Sequence, residues 1–461
     1  MSIRTPHIVV SLFVAAALAL LFAAPADILA PEAALAGALA LVAIGLWATN
    51  AIPEHLTAIL FFLVAMVAGI AAAPVVFSGF ASTAFWLLFG GMIVGSAVRE
   101  TGLGARIARS LARRMGVSYT GILVGIMAVA VGLAFVMPSS VGRTVLLMPI
   151  AMSLADAFGF AEGSRGRIGI AMTAGLGAFL PGFGVMPANV PNLIMIGAAD
   201  TLYHLKPLYG DYLLLHFPVL GLAKAVVVVV VCRVLFADRP DMQVAEERDG
   251  TPLSPEERRL GLILIGALAL WVTDFIHGVS PAWVALGAGV ACMLPPFRLI
   301  DPARMTEVVQ FRPLLYVAGV LSLGAVVATS GVADRLAALF LDVAGLAPGQ
   351  DAWNAFAVVL ASMAVGILGT APTVPAVLTP LAEQLSSVMG LPLMTVLMLQ
   401  VPAYSTVFFP FQGPPVVVAM QLGKVPLADG VRATLTVALI TVLVLLPLDY
   451  LWWQALGRFD G

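Results

Sequence analysis

Long apolar runs recur along this chain, among them Ile8 to Ala24, Ala33 to Ala48 and Phe217 to Val231, each of 15 to 17 residues before its flanks are counted. Runs of this length suit helices that cross a hydrocarbon core about 30 Å thick, whereas membrane barrels use strands of roughly ten residues with alternating polarity. The material between the runs is equally constraining: 10% of residues are charged and 61% hydrophobic, where a soluble domain carries roughly a quarter charged residues. A water-facing surface for 461 residues cannot be built from that supply. A cytosolic enzyme, a secreted disulfide scaffold and a disordered chain are therefore excluded, and 23 basic against 25 acidic residues leave no footprint for nucleic acid. The expected fold is an all-α polytopic membrane protein. Cys232 and Cys292 sit in apolar runs without metal spacing and are read as small buried hydrophobes. Arg4, the run to Phe22 and the alanines after it have the outline of a signal peptide, but with many spans following, residues 1–29 are read as a first transmembrane helix.

One polar stretch, 237–257, holds three prolines and a dense mixture of charges. It is read as a cytoplasmic linker between two units, 30–236 and 258–461. The units resemble one another in order. Leu46-Trp47-Ala48-Thr49-Asn50-Ala51-Ile52 matches Leu270-Trp271-Val272-Thr273-Asp274-Phe275-Ile276, and the segment from Gly90 aligns without gaps to that from Gly319. The second match shares Gly90/Gly319, Gly95/Gly324, Val98/Val327, Gly102/Gly331, Arg106/Arg335 and Ala108/Ala337, and Pro149 then falls against Pro380.

Charge sets the relative orientation of the units, because Lys and Arg accumulate on cytoplasmic loops. Arg99, Arg106, Arg109, Arg113 and Arg114 face the single acid Glu100, and Arg165 and Arg167 follow at the next polar break. The corresponding segments of the second unit carry Arg335 alone against Asp334, Asp342, Asp351 and Glu383. The units are thus expected to be inverted repeats, with the N-terminus cytoplasmic and the C-terminus outside. Both flanks of 119–158 are basic, yet its centre is polar, Met137-Pro138-Ser139-Ser140-Val141-Gly142-Arg143, so this stretch should enter and leave on one side as a reentrant helical hairpin. A second hairpin is expected over 352–389, turning at Gly369-Thr370-Ala371-Pro372-Thr373-Val374-Pro375. Four full crossings would strand polar turns in hydrocarbon.

A helix interrupted by proline and glycine follows each hairpin, over 167–203 with its break from Pro181 to Asn192, and over 391–426 with its break from Phe409 to Pro415. Proline removes an amide donor, so each helix should unwind and expose helix termini and carbonyls. Gln400, Tyr404, Ser405 and Thr406 lead into the second break and are candidates for lining a site. Lys224 is expected to snorkel to an interface, Asp274 and His277 to lie at an interface, Glu54 and His55 to mark a helix start, and Trp452 and Trp453 to anchor the last helix at the membrane surface.

The motifs "LWATNAIP", "FGGMIVGSAVRETGLGARIA", Met148-Pro149-Ile150 and "PNLI" at Pro191 to Ile194 resemble the divalent anion:sodium symporter family, which transports dicarboxylates, citrate or sulfate. The resemblance covers nearly the whole chain. It implies about eleven transmembrane helices, a homodimer in contact with lipid, and an elevator motion of a transport domain past a dimeric scaffold. It also implies where the site lies. The family's Ser-Asn-Thr at each hairpin tip falls on Ser139, Ser140 and Val141, then on Thr370, Ala371 and Pro372, with Thr373 beside it. Its Gly-Thr-Pro-Pro-Asn falls on Ala188, Asn189, Val190, Pro191 and Asn192, then on Gln412, Gly413, Pro414, Pro415 and Val416. Ser139, Ser140, Ala188, Thr370 and Gln412 stand at the coupling-ion positions. Both tip asparagines are missing, while Arg143 adds a permanent cation two residues past the first tip, suited to carboxylate, sulfate or sulfonate.

These readings make the chain a secondary transporter of a small anion and not an enzyme. It needs no cofactor beyond sodium as a coupling ion, and no Walker motif is present. Three couplings stay open: sodium symport, sodium-independent exchange or export with Arg143 as fixed charge, or proton coupling. A channel would favour a pore-lining ring over two unlike tips, and the histidines His7, His55, His204, His216 and His277 form no catalytic or metal pattern.

Overall fold

The computed structural model describes residues 4–23, 31–49, 51–104, 106, 118–239, 252–295, 297–332, 344–368 and 370–459. Every regular element among them is helical. Tyr119–Val136, Tyr209–Leu235, Phe311–Thr329 and Leu427–Ala455 are each long and apolar enough to cross a membrane by length and composition, and shorter apolar helices surround them. Arg4–Ala23 packs along Pro31–Thr49. Of the sequence features above, 240–251 of the linker, Arg109, Arg113, Arg114, Asp334, Arg335, Asp342 and Gly369 lie outside the described residues. The end of the expected linker is helical instead. Ser254 and Glu257 form a reciprocal capping box that starts the helix Pro255–Val272, and Glu257 pairs with Arg106 at 2.6 Å.

The two tryptophan motifs do the same structural work. Trp47 Nε1 donates to the carbonyl of Glu54 (3.0 Å), the first residue of the helix Glu54–Val67, and Trp271 Nε1 to that of Pro281 (3.1 Å), the first residue of Pro281–Met293. Thr49 and Thr273 each return a hydroxyl bond of 2.7 Å to the carbonyl four residues earlier, which satisfies a helix end in an apolar setting. The matched glycines also act alike. Gly90, in the helix Thr83–Glu100, meets the helix Pro281–Met293 so closely that a Cβ would lie 2.5 Å from the Ala285 carbonyl oxygen. Gly319, in Phe311–Thr329, meets Glu54–Val67, where a Cβ would lie 2.5 Å from that of Ala58. Gly90→Ala is expected to cost about 1–3 kcal/mol, because backbone rather than a flexible side chain must give way. A fall in melting temperature of the purified protein would register it.

Two helix pairs and two broken helices fill the centre. Tyr119–Val136 and Ser140–Ala157 are joined by residues 137–139, where the backbone at Met137 and Ser139 turns extended. Asp351–Leu368 gives way to Thr373–Leu378 and, beyond a single 3-10 turn, Ala382–Met389. The first broken helix runs Arg165–Phe179, passes through two 3-10 turns at Pro181–Gly184 and Met186–Ala188, and resumes as Val190–Tyr203. The second runs Leu393–Met398 and Gln400–Tyr404, unwinds, makes a turn at Pro410–Gln412 and resumes as Pro414–Leu422. Every residue from Gly166 to Ala188 except Arg167 is buried, so this unwound backbone is surrounded by protein, as membrane depth requires.

Candidate functional site

The interruptions border one cavity of about 520 Å³. Ser139 to Gly142 line it from the first tip, Pro372 from the second, Val190 and Pro191 from the first break, and Gln412, Pro414 and Pro415 from the second. Leu88, Gly91, Met92, Gly95 and Arg99 of the helix Thr83–Glu100 form another wall, with Glu54 and Tyr316 nearby. Three helices of eight residues or more therefore begin at this cavity, at Ser140, Val190 and Pro414. The helix dipole puts partial positive charge at each start, but the donors differ: Pro191, Pro414 and Pro415 carry no amide hydrogen, and the Val416 and Val417 amides already bond to the Gly413 carbonyl, so free first-turn amides come only from the starts at Ser140 and Val190. Such an arrangement attracts an anion without a dedicated cationic pocket. Ser139 caps the first of these helices, its hydroxyl accepting from the Gly142 amide at 3.0 Å.

Arg143 sits behind this wall. It is 0% exposed and does not line the cavity. Its Nε donates to the Ala178 carbonyl (2.9 Å), Nη1 to those of Ala188 (2.9 Å) and Met137, and Nη2 to Asn189 Oδ1 (2.9 Å). One guanidinium thus ties the first tip to both ends of the first break. Asn189 and Asn192 are buried in the same work: Asn189 Nδ2 donates to the Phe179 carbonyl, and Asn192 Nδ2 to those of Phe183 and Val185. Unwinding a helix orphans its carbonyls, and these three side chains answer them.

Gln412 does the equivalent in the second half. Its Nε2 donates to the Gly366 carbonyl (2.8 Å), and its Oε1 accepts from the amides of Phe408 (2.8 Å) and Phe409 (2.9 Å). The Ala371 amide reaches the Gln412 carbonyl at 3.4 Å, joining second tip to second break. The Thr370 amide donates to the Thr373 hydroxyl at 3.2 Å. Of the residues singled out from sequence, Ser139, Ser140, Val141, Pro372 and Gln412 line the cavity; Arg143, Ala188, Asn189, Asn192, Thr370, Ala371, Thr373 and Gly413 stand behind it. Gln400, Tyr404, Ser405 and Thr406 are buried away from it, Gln400 Oε1 accepting from the Thr379 hydroxyl at 3.0 Å.

Among the described residues two that line the cavity carry charge: Glu54, at the helix start expected of it, and Arg99, which lies in the helix Thr83–Glu100 and not in the basic loop expected from sequence. The missed signal was periodicity: Gly91, Gly95 and Arg99 are spaced by four, which puts them on one helix face. Three expected surface placements are also corrected. Lys224 does not snorkel; it is 0% exposed, with Nζ on the carbonyl (3.0 Å) and hydroxyl (2.9 Å) of Ser405. Asp274 is buried and accepts the Tyr209 amide, which belongs to a helix start that needs an acceptor, while His277 is exposed. Trp453 is buried against His216 rather than at an interface; its neighbour Trp452 donates to the Leu214 carbonyl at 3.0 Å.

Residues 5–459 match the family described as the sodium:sulfate symporter transmembrane region. A membrane protein of Cupriavidus necator is 27% identical over 302 residues, which cover 64% of this chain and 58% of that protein. The L-tartrate/succinate antiporter of Escherichia coli K12 is 25% identical over 244 residues, 49% of this chain and 48% of the antiporter. These matches span about half the length of the curated relatives. The solved structure of the YdaH transporter of Alcanivorax borkumensis, described as having an unusual topology, superposes with a TM-score of 0.54 at 15% identity, over 87% of this chain and 90% of that one, a likeness of fold alone. With the family match running almost from end to end, the chain belongs to the sodium:sulfate symporter family of multi-pass membrane anion transporters, the divalent anion:sodium symporters.

Proposed function

We propose that the chain is a secondary active transporter of a small doubly charged anion, a dicarboxylate such as tartrate or succinate, or sulfate. The observation that carries this reading is the convergence of three helix N-termini, at Ser140, Val190 and Pro414, on one cavity with Arg99 in its wall. Half-helix N-termini at mid-membrane are how many secondary transporters hold an anionic group. The likeness to a tartrate/succinate antiporter is in keeping with that chemistry.

The architecture proposed around the site is a pair of inverted repeats, 30–236 and 258–461, with two reentrant hairpins and about eleven spans. The parallel bonds of Trp47 and Trp271 and the parallel close approaches of Gly90 and Gly319 support it. With basic loops inside, the N-terminus is cytoplasmic, the C-terminus outside, and the Arg99 end of the cavity faces the cytoplasm. Family membership supports a homodimer in lipid with an elevator motion of the tips and broken helices.

Of these couplings, the geometry favours the sodium-independent ones. Four oxygens, from Met137, Ala178, Ala188 and Asn189, converge on Arg143 much as they would on a bound cation. Gln412 Oε1 is likewise engaged, by two amides. A permanent guanidinium therefore stands in for a coupling ion. Proteoliposomes loaded with succinate test the reading. Uptake of labelled tartrate, succinate or sulfate should saturate, rise at least about tenfold with the internal counter-anion, and be unchanged when choline replaces sodium. Unsaturable flux would point to a channel, and a requirement for sodium would remove the proposed role of Arg143.

A further inference from the structure

Two buried cations grip the broken helices. Arg143, at the first, cannot lose its proton; Lys224, at the second, can. Lys224 is 0% exposed, and its Nζ holds both the carbonyl and the hydroxyl of Ser405, in the unwound stretch that leads to Gln412. Its counter-charge is Asp449 of the last helix, 2% exposed and within electrostatic reach but not in a direct ion pair. Among the described residues Asp449 Oδ1 has no partner at normal hydrogen-bond geometry, and the Trp453 indole N–H one turn on, likewise unmatched, is its nearest donor in electrostatic reach. Asp449 borders a small cavity of about 20 Å³, between the last helix and Phe356, Leu399 and Pro402, room for one water. Both helices carry a π-helical turn here, Phe217–Ala223 running directly into Lys224 and Thr441–Leu445 just before Asp449, and the two turns pack together. Such turns mark functional positions in helices, because they shift side-chain register and loosen the backbone.

We propose that Lys224 and Asp449 form a proton-binding site that couples the second broken helix to a proton gradient. In the unloaded state the ammonium and the carboxylate cancel. A proton from solution, arriving by way of the cavity that Asp449 borders, bonds to the Asp449 carboxylate and makes it a neutral carboxyl. Lys224 keeps its own proton, so its ammonium, still bonded to the Ser405 carbonyl, is left as one uncompensated positive charge. That charge favours an anion in the main cavity, and the proton and the anion travel together. The remaining titratable or polar groups around the pair leave this assignment intact. Tyr212 and His216 lie on the Lys224 helix, Tyr404 beside Ser405, and Tyr450 and Trp453 on the Asp449 helix, with Asp351 near Tyr450. Arg458 is held by Asp211 at 3.7 Å near the end of the last helix. His216 Nε2 contacts Met398 Sδ at 3.4 Å, and its ring packs on Tyr212 and Trp453.

The proposal rests on the transporter reading, and two measurements separate their failures. Difference infrared spectra of the full-length protein in detergent, acid against alkaline, should show the carboxyl stretch of a buried protonated acid that Asp449→Asn removes. This needs no substrate. In proteoliposomes enclosing a pH dye, tartrate should move protons with it, and apparent tartrate affinity should rise about tenfold on acidification. Asp449→Asn and Lys224→Met should abolish both effects while tartrate counterflow continues. If either single variant fails to fold, the double Lys224→Met/Asp449→Leu, which removes both charges at once, serves instead. Absence of the infrared band, or proton movement that survives in the double variant, overturns the proposal. A band without any anion transport instead overturns the transporter reading and leaves the proton site standing.

Discussion

Arg143→Ala is expected to lose thermal stability and transport together, and to gain a stability response to sodium that the wild-type protein lacks. The guanidinium serves three backbone carbonyls and Asn189 Oδ1 at full burial. Each buried acceptor left unmet costs about 1–3 kcal/mol, and partial relaxation brings the sum to about 4 kcal/mol, a large part of the usual margin. Arg143→Lys keeps the charge but places it at one point, so it cannot span acceptors 35 and 46 residues away in sequence, on Ala178 and Asn189, together with Met137. Its stability should fall between the two. The truncated variant leaves converging oxygens with no cation, and sodium at concentrations above its dissociation constant should recover part of the loss by mass action. Melting curves in sodium chloride against choline chloride measure this. A residue that only contacted substrate would show weaker transport, unchanged melting and no sodium response, and that result would remove Arg143 from its place as an internal cation.

The contrast between Arg143 and Lys224 shows where sequence reading reached and where it stopped. The interruptions were legible because proline and glycine act locally, so the helix ends and unwound stretches fell where helix rules put them. The partners of the buried cations were not legible. Lys224 stands alone in an apolar run, a pattern that surface snorkelling and burial share, and what separates them is Ser405, 181 residues later. Arg143 invited a substrate role because it follows a tip, yet two of the three carbonyls it answers, those of Ala178 and Ala188, are open to it because the chain unwinds at Phe179 to Asn189, on another element. Arg99 was lost for the opposite reason. Its run of arginines was read for the expected sidedness of the chain, and that use concealed its place on the Gly91-Gly95 face.

Arg99→Gln is the variant expected to weaken anion binding most without disturbing the fold. Its guanidinium is exposed at the cavity wall, held by the Ser96 hydroxyl at 2.6 Å, and answers no buried carbonyl. A hydrogen bond to a charged group contributes about 1.5–3 kcal/mol, so the half-saturating anion concentration should rise roughly 10- to 100-fold with melting unchanged. Glu54 provides the control of opposite sign. It lines the same cavity, and its charge opposes an anion there. Glu54→Gln should therefore tighten binding by a smaller factor, since water in the cavity screens a charge that makes no contact with the ligand. Gly95, one turn before Arg99, offers a steric version of the test: a Cβ there meets nothing, so Gly95→Val should fold while filling the space the anion needs. If Arg99→Gln and Glu54→Gln move affinity in the same direction, charge in this cavity does not set anion binding, and the helix N-termini alone must account for it.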